Sequence, residues 1–369
     1  MAKEPVIVTG GGTGGHLYPA LAIIEAIQDV AEISYVGNPD RIEAEVIPQK
    51  GIPFFAIQST YYRPGLLNRI GLALRLLLGT MKGVWLVLRL RPRLIIGVGG
   101  FVSVPMVLAG WLARRRLVLH EQNVGPGQAN RFLGRIAGMD VLTTFPVEDR
   151  HFPKNEMFVT GCPVRQAFWA FTKSDARAQL GVPDTATVIL VVGGSGGAPA
   201  LNAAAEALTD LLIDRPDLVL LHGTGRRYFD EVSAKRDAMQ SGATDRYKIY
   251  EYLDETAIFM LAADMIVSRS GASTLSEIFC SKLPSVLVPS PNVAENHQLA
   301  NAVFASDAGA GVVVEEGPDF ENRVREATRT LLGDDALRTR MAAAAAENCR
   351  GKDAGQNIRA HVLSLLERR

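Results

Sequence analysis

Two glycine-rich turns, each between a short apolar run and a helical stretch, constrain the fold of this chain most. The first follows residues 6–8 and spans residues 9–16; the second follows residues 188–192 and spans residues 193–198. Glycine at such a turn lets the main chain approach a ligand, and the helix behind it presents N–H groups and a positive dipole end. Two such turns predict two similar domains that face each other across a cleft.

The rest of the chain alternates strand-like runs with helical stretches. The strand-like runs are continuously apolar and rich in β-branched residues, which is typical of parallel strands buried on both faces. The length of 369 residues fits two domains. We therefore predict an α/β protein of two Rossmann-like, doubly wound domains. The expected segments are residues 1–163, residues 164–340, and an alanine-rich helix over residues 341–369 that packs back toward the first domain.

Charge and cysteine content narrow the class of protein. The net charge is zero, so nothing predicts a nucleic-acid partner. Between Val46 and His120, however, there are eleven Lys and Arg residues and no Asp or Glu. The three cysteines lack metal-ligand spacing and indicate reduced thiols, and the first residues lack the apolar segment of a signal peptide. We expect a cytosolic protein with one strongly basic region.

The most apolar part of that basic region, residues 66–93, raises the question of a membrane. Its basic residues leave uncharged runs of only about six residues, and a spanning helix needs about 20. On a helix, basic residues spaced seven apart form a slowly drifting stripe, as expected for a helix lying in an anionic membrane interface. The alternative is a core helix with snorkelling arginines. The residues expected to face the membrane are Arg69, Arg75, Lys82, Trp85 and Arg89.

The first glycine turn formally fits the dinucleotide-binding pattern through Gly10, Gly12 and Gly15. The second predicted strand ends without the carboxylate that would hold a ribose, and neither turn has the lysine of a P-loop, so hydride transfer and ATP hydrolysis are poorly supported. His16 begins the following helix, where the dipole favours a neutral imidazole that can act as a base. The alternative for His16 is an ordinary surface or capping histidine.

A third motif, residues 268–277, places small residues and hydroxyls at the start of a helix. This composition suits a diphosphate. Glu277 either closes a capping box with Thr274 or accepts hydrogen bonds from two ribose hydroxyls. The chain has no Asp-x-Asp pair, so we expect no metal-chelated diphosphate; helix N-termini, hydroxyls and Arg165 would offset the leaving charge.

The order and spacing of these motifs resemble the bacterial MurG family, the N-acetylglucosaminyltransferases of glycosyltransferase family 28. The resemblance covers nearly the whole chain. It rests on residues 11–20, 120–123 with 126–127, 161–165, 193–198, 269–277 and 297–302.

This resemblance implies a GT-B fold and an inverting, metal- and cofactor-independent transfer of N-acetylglucosamine from UDP to the 4-hydroxyl of an undecaprenyl-linked muramyl-pentapeptide. His16 would be the base, with Glu121 a second candidate. Glu277 would bind the ribose, Leu253 the uracil through its main chain, and Gln298 the sugar. The diphosphate would lie on Ala272, Ser273, Thr274, Leu275 and Ser276. Thr13, Gly14, Gly15, Asn123, Arg165 and Ser195 would also contact the donor. The basic first domain would meet the lipid acceptor at the cytoplasmic face of the membrane.

Three alternatives stay open at this point. A GT-B enzyme for another acceptor, such as a macrolide or a sterol, would share most of the motifs. A UDP-N-acetylglucosamine 2-epimerase shares the fold, but we expect it to have a carboxylate-rich site and no lipid surface. A non-catalytic, membrane-associated nucleotide-binding protein would keep the turns without turnover.

Overall fold

The computed structural model describes residues 3–58, 66–136, 138–194, 196–239 and 243–367, of which residues 66–70 and 294 are described by their main chain only. These residues form two compact units. The first comprises residues 1–163 and 350–369, and the second comprises residues 164–349. Each unit is built around one parallel sheet.

The first unit alternates strands and helices. Its strands are β1 (Glu4–Thr9), β2 (Ala31–Gly37), β3 (Phe54–Ala56), β4 (Leu94–Gly97), β5 (Arg116–Glu121), β6 (Met139–Thr143) and β7 (Glu156–Val159). Its first five helices are α1 (Gly14–Ile27), α2 (Glu43–Gln49), α3 (Leu66–Leu90), α4 (Ser103–Leu112) and α5 (Gln128–Leu133). The strand order is β3-β2-β1-β4-β5-β6-β7, and all neighbouring strands run parallel.

Both faces of this sheet are covered, which explains the continuous apolar strands. On β1, Val6 and Val8 pack into a core cluster with residues of α1, whereas Ile7 packs into the cluster that includes residues of α3 and α4. Successive side chains of a strand point to opposite faces, so the consecutive residues Val6, Ile7 and Val8 must all be apolar. Strand β3 has only three residues and lies at the edge of the sheet, beside β2.

The second unit repeats the design. Its strands are β8 (Thr187–Val192), β9 (Leu218–Gly223), β10 (Tyr247–Tyr250), β11 (Met265–Ser268), β12 (Ser285–Leu287) and β13 (Gly311–Val313). Its helices are α6 (Ala167–Ala170), α7 (Lys173–Leu180), α8 (Pro199–Asp214), α9 (Phe229–Asp237), α10 (Thr256–Ala262), α11 (Ala272–Ser281), α12 (His297–Asp307), α13 (Phe320–Gly333) and α14 (Asp335–Asn348). The strand order is β10-β9-β8-β11-β12-β13. The prediction of two doubly wound parallel sheets is confirmed.

The strand orders fix where a ligand can bind in each unit. In the first sheet the order reverses between β1 and β4, and in the second it reverses between β8 and β11. Ligands of open parallel sheets bind at the carboxyl ends of the strands, at this switch point. Both glycine turns and the motif over residues 268–277 follow strands that border a switch point.

The end of the chain differs from the expected single helix over residues 341–369. Helix α14 belongs to the second unit, and the last helix, α15 (Gly351–Glu367), belongs to the first. Ile358 and Val362 of α15 are fully buried in the core cluster that contains α1. The break falls at Cys349 and Arg350 because α14 ends there in extended main chain.

The expectation of three reduced thiols is wrong for two of them. Cys280 of α11 and Cys349 form a disulfide, with their Cα atoms 4.7 Å apart. The two residues are 69 positions apart in sequence. No spacing rule could have paired them, because tertiary packing alone brings α11 and α14 together. Cys162 is buried and is not part of this bridge.

Half of residues 71–90 of helix α3 are exposed, and the others are half-buried or buried. Leu86 and Val87 are buried, and Gly79 and Gly83 let the helix approach Pro105 and Ala109 of α4 closely. Within the described residues, Gly71–Leu90 is the one stretch with the length and mean hydropathy, 1.5, of a membrane span, and 28% of it is buried. Leu86 and Val87 pack into the core cluster that also contains residues of α4 and of the sheet.

Candidate active site

The turn between β1 and α1 is held by the chain's own side chains. Gly11 and Gly12 have φ angles of 130° and 86°, which side chains of L-residues rarely adopt. The buried carboxylate of Glu43 accepts hydrogen bonds from the main-chain N–H of Gly12 at 3.0 Å and of Asn38 at 3.1 Å. A Cβ atom at Gly11 would come within 2.4 Å of that carboxylate. One N–H of this turn is therefore already paired with an anion that belongs to the protein.

His16 lies in the first turn of α1 and against the turn that follows β4. A Cβ atom at Gly99 would lie 3.0 Å from its Nδ1 atom. The Nδ1 atom is 3.1 Å from Oε1 of Gln122, which is fully buried after β5. The turns after β1, β4 and β5 thus meet around one imidazole at the switch point of the first sheet.

The Glu121 carboxylate is buried and is fully engaged by its surroundings. Oε1 accepts from the main-chain N–H of Asn123 at 2.9 Å and from its side-chain amide at 3.3 Å. Oε2 accepts from the N–H of Gly127 at 3.1 Å and from the amide of Asn130 at 2.8 Å. The four donors come from Asn123, Gly127 and Asn130, which lie in the turn after β5 and in α5. These contacts fit a brace for the turn after β5.

The other candidate residues of the first unit lie on the same edge of the sheet. Thr13 and Gly15 are exposed, and Gly14 begins α1. Asn123 is half-buried, and the Glu121 carboxylate orients its amide. The structure therefore brings together all six candidate residues of this unit, namely Thr13, Gly14, Gly15, His16, Glu121 and Asn123.

In the second unit, the turn after β8 lies beside the turn after β9. A Cβ atom at Gly197 would be 2.3 Å from the carbonyl oxygen of Thr224, and Gly197 has a φ of 72°. Only glycine fits at such an approach of two main chains. Ser195, the candidate residue of this turn, lies outside the described residues.

Helix α11 begins with Gly271 in extended conformation, and no described side chain caps it. The alternative that Thr274 and Glu277 form a capping box is wrong, because the helix begins at Ala272 and Thr274 lies inside it. The side chain of Leu275 is buried in the core, and the hydroxyl of Ser276 donates to the carbonyl of Ala272 at 3.0 Å. The first turn, with Ser273 and Thr274, is therefore the part of α11 that can receive an anion through its N–H groups.

Glu277 follows that turn and pairs with Arg165. Its Oε1 atom accepts from Nη2 of Arg165 at 2.9 Å and from Nε at 3.2 Å. Burial raises the pKa of Glu277, and the Arg165 guanidinium opposes the shift. The carboxylate is thus a desolvated acceptor with one cationic partner, which is a suitable environment for binding sugar hydroxyls.

Leu253 and Gln298 border the same edge. The side chain of Leu253 packs against Gly223 at the end of β9, and its carbonyl accepts from the Thr256 hydroxyl at 3.1 Å. Gln298 joins two turns: its carbonyl accepts from the Ser270 hydroxyl at 2.8 Å, and its Oε1 accepts from the N–H of Ser290 at 2.9 Å. Gln298 therefore orders the turns after β11 and β12.

Two residues with evident roles, Glu43 and Gln122, were missed by the sequence reasoning. Glu43 pairs with a turn 31 positions earlier, and Gln122 contacts a histidine 106 positions earlier. No local pattern marks Glu43. For Gln122 the available signal was its place beside Glu121, immediately after a predicted parallel strand.

We expect replacement of Glu121 by alanine to lower the free energy of unfolding by about 3 kcal/mol, because buried donors lose their acceptor at about 1–3 kcal/mol each. Chemical denaturation measures this loss. Glu148 is exposed, and its replacement by alanine should change stability by less than about 0.5 kcal/mol. If Glu121→Ala is as stable as the parent and loses only turnover, then Glu121 takes part in the chemistry instead.

Comparison with known proteins shows that this chain matches one protein family in both units. The model of the glycosyltransferase family 28 N-terminal domain matches residues 6–139, and that of the C-terminal domain matches residues 188–356. The first match contains the turn with His16 and the Glu121 carboxylate. The second contains the turn after β8 and the start of α11.

Individual relatives match over nearly their full length. The UDP-N-acetylglucosamine–N-acetylmuramyl-(pentapeptide) pyrophosphoryl-undecaprenol N-acetylglucosamine transferase of Salinibacter ruber is 36% identical, over 98% of this chain and 97% of that protein. The Symbiobacterium thermophilum protein of the same name is 39% identical, over 97% and 96%. The crystal structure of Acinetobacter baumannii MurG matches with a TM-score of 0.79 at 27% identity, over 99% of this chain and 100% of that chain.

Proposed function

We propose that this chain, which belongs to glycosyltransferase family 28, transfers N-acetylglucosamine from its UDP conjugate to the 4-hydroxyl of an undecaprenyl-pyrophosphoryl-muramyl-pentapeptide. The observation that carries the proposal is the full-length match to relatives whose names state this reaction. The protein is a hexosyltransferase of the GT-B fold, and its reaction belongs to peptidoglycan synthesis.

We assign the donor to the second unit. The N–H groups in the first turn of α11 would receive the diphosphate, and the desolvated carboxylate of Glu277 would accept hydrogen bonds from the ribose hydroxyls. On leaving, UDP takes the electron pair of the bond between the sugar C1 and the phosphate oxygen. The helix dipole and Arg165 offset the charge that develops.

We assign the base to His16 of the first unit. Its imidazole would take the proton of the acceptor 4-hydroxyl as that oxygen attacks C1 of N-acetylglucosamine from the side opposite UDP. The new C–O bond forms on the face of C1 opposite the C–O bond that breaks. The configuration at C1 is therefore inverted, and the α-linked donor gives a β-linked product. The N–H of Gly12 already donates to Glu43, so the first turn has one donor fewer for a diphosphate. This supports assigning the diphosphate to the second unit and a catalytic role to the first turn.

We further propose that the exposed side of α3 lies on the cytoplasmic face of the cell membrane, where the lipid acceptor is found. Arg75, Lys82 and Arg89 are exposed, and the Arg89 guanidinium stacks on the ring of Trp85 at 5.1 Å. Arg69 lies in the same helix, but its side chain is outside the described residues. The apolar residues around them are 48–64% exposed: Leu74, Leu77, Leu78, Met81, Trp85, Leu88, Trp111 and Leu112.

Neutralising this basic stripe should weaken membrane binding. We expect the combined change Arg75→Gln, Lys82→Gln and Arg89→Gln to lower partition onto anionic vesicles by about 10²-fold, since each basic residue contributes about 1 kcal/mol. Sedimentation with vesicles measures partition. Binding of the parent protein should fall as salt rises.

A matched control removes three exposed basic residues from the second unit, namely Arg226, Arg227 and Lys235, and should leave partition unchanged. Equal binding of the parent protein to neutral and anionic vesicles would contradict the electrostatic part of this assignment.

Two other functions are tested by the same transfer assay. Turnover with a macrolide or sterol and none with the muramyl lipid would indicate a GT-B enzyme of different acceptor class. UDP binding without turnover on any acceptor would indicate a non-catalytic nucleotide-binding protein.

A further inference from the structure

The hydrogen bonds around Gln122 fix the orientation of its side-chain amide. Nε2 lies 2.9 Å from the carbonyl oxygen of Val98 and 2.9 Å from Nδ1 of His120. A carbonyl oxygen only accepts, so the atom facing Val98 must be the amide nitrogen. Reversing the amide would bring two oxygens to 2.9 Å. Oε1 is therefore the atom that faces His16.

His120 agrees with this orientation. It is fully buried, and burial lowers its pKa to about 4, so its ring is neutral at pH 7. A neutral imidazole has one nitrogen that accepts, and Nδ1 of His120 receives the second N–H of the Gln122 amide. Both hydrogens of that amide are then used, one on the Val98 carbonyl and one on His120.

The contact between Gln122 and His16 determines which ring nitrogen of neutral His16 carries the hydrogen. Oε1 of Gln122 can only accept, and Nδ1 of His16 lies 3.1 Å away. Nδ1 must therefore carry the hydrogen. In a neutral imidazole the lone pair is then on Nε2.

We propose that Gln122 is a positioning residue that holds neutral His16 in the Nδ1–H tautomer, with Nε2 as the atom that takes the acceptor proton. The inference rests on the proposed function, since it assumes that His16 is the base. The turn after β4 supports the arrangement sterically: Gly99 and Gly100 have φ angles of 94° and 77°, and a Cβ atom at either would lie within 3.4 Å of the His16 ring. Glycine at both positions thus lets the main chain of this turn lie close against the His16 ring.

The tautomer can be read directly by NMR in the full-length protein labelled with ¹⁵N and ¹³C at histidine. The sequence has six histidines, and the His16 signals are identified by their absence from His16→Ala. At a pH where His16 is neutral, we expect a protonated Nδ1 and an unprotonated Nε2. A protonated Nε2 in the parent protein overturns the proposal, whatever the variants do.

Gln122→Met keeps the length of the side chain and removes the acceptor. We expect mixed or reversed tautomer signals for His16 and a loss of kcat of about tenfold or more, out of the 10²–10⁴-fold that a general base contributes. KM for UDP-N-acetylglucosamine should stay within about twofold. Gln28→Met, the same change at the exposed end of α1, should alter neither the tautomer nor kcat.

The outcomes distinguish a failure of the role of Gln122 from a failure of the proposed function. Transfer by the parent protein with His16 in the Nε2–H tautomer refutes only the role of Gln122. Absence of transfer refutes the proposed function, and the tautomer measurement still reports whether Gln122 orients the ring. Gln122→Met with unchanged kcat and unchanged tautomer also refutes the positioning role.

Discussion

His16→Ala is expected to lower kcat by about 10²–10⁴-fold, the usual contribution of a general base. The hydroxyl of the muramyl lipid must lose its proton as it attacks, and alanine has no group that can take this proton. Because the active form is the neutral imidazole, kcat of the parent enzyme should fall as pH drops and the ring becomes protonated. The variant should lose that acidic limb of the pH profile. Steady-state kinetics over a pH series measures both effects.

The affinity of His16→Ala for UDP should remain close to that of the parent, since the donor is assigned to the second unit. His151→Ala, a half-buried histidine elsewhere in the first unit, serves as the matched control and should keep full turnover. A His16→Ala enzyme with near-parental kcat would remove this residue from the mechanism.

Glu277→Ala should raise the dissociation constant of UDP by about 10²-fold or more. Hydrogen bonds to a charged group contribute about 1.5–3 kcal/mol each, and the carboxylate is assigned two ribose hydroxyls. Isothermal titration with UDP and with 2′,3′-dideoxy-UDP separates this cause from others. The parent should prefer UDP strongly, and the variant should bind both nucleotides alike.

The carboxylate must also be ionised to accept both bonds. Burial raises the pKa of Glu277 above its usual value. As the pH is lowered, UDP affinity should therefore begin to fall at a higher pH than it would with an exposed carboxyl group. Glu321→Ala, an exposed acid of the same unit, should bind UDP like the parent. Retention of the UDP preference by Glu277→Ala would place the ribose elsewhere.

The sequence predicted the architecture because the apolar strand pattern and the glycine turns are local signals. Val6–Val8 had to be a strand covered on both faces, and His16 had to lie where a helix starts. The same local reading failed for Thr274, where a capping pattern fell inside α11 and not at its start. Thr274-x-x-Glu277 fits the spacing, but Gly271 already supplies the extended residue that begins the helix.

The contacts that organise the site could not be predicted, because they join distant segments. Glu43 is paired with the turn after β1, and Cys280 is bonded to Cys349, through packing that no periodicity encodes. Glu121 shows a different limit. The residue type suggested a second base, and only the four donors around its carboxylate indicate a brace.

The most direct test of the proposed reaction is transfer of labelled N-acetylglucosamine from UDP to a short-chain muramyl-pentapeptide pyrophosphoryl lipid, in the presence of EDTA. We predict stoichiometric release of UDP and a β-1,4-linked disaccharide lipid, identified by mass spectrometry and NMR of the anomeric proton. The absence of a disaccharide product, or a product that forms only when a divalent metal is supplied, would contradict the proposed reaction.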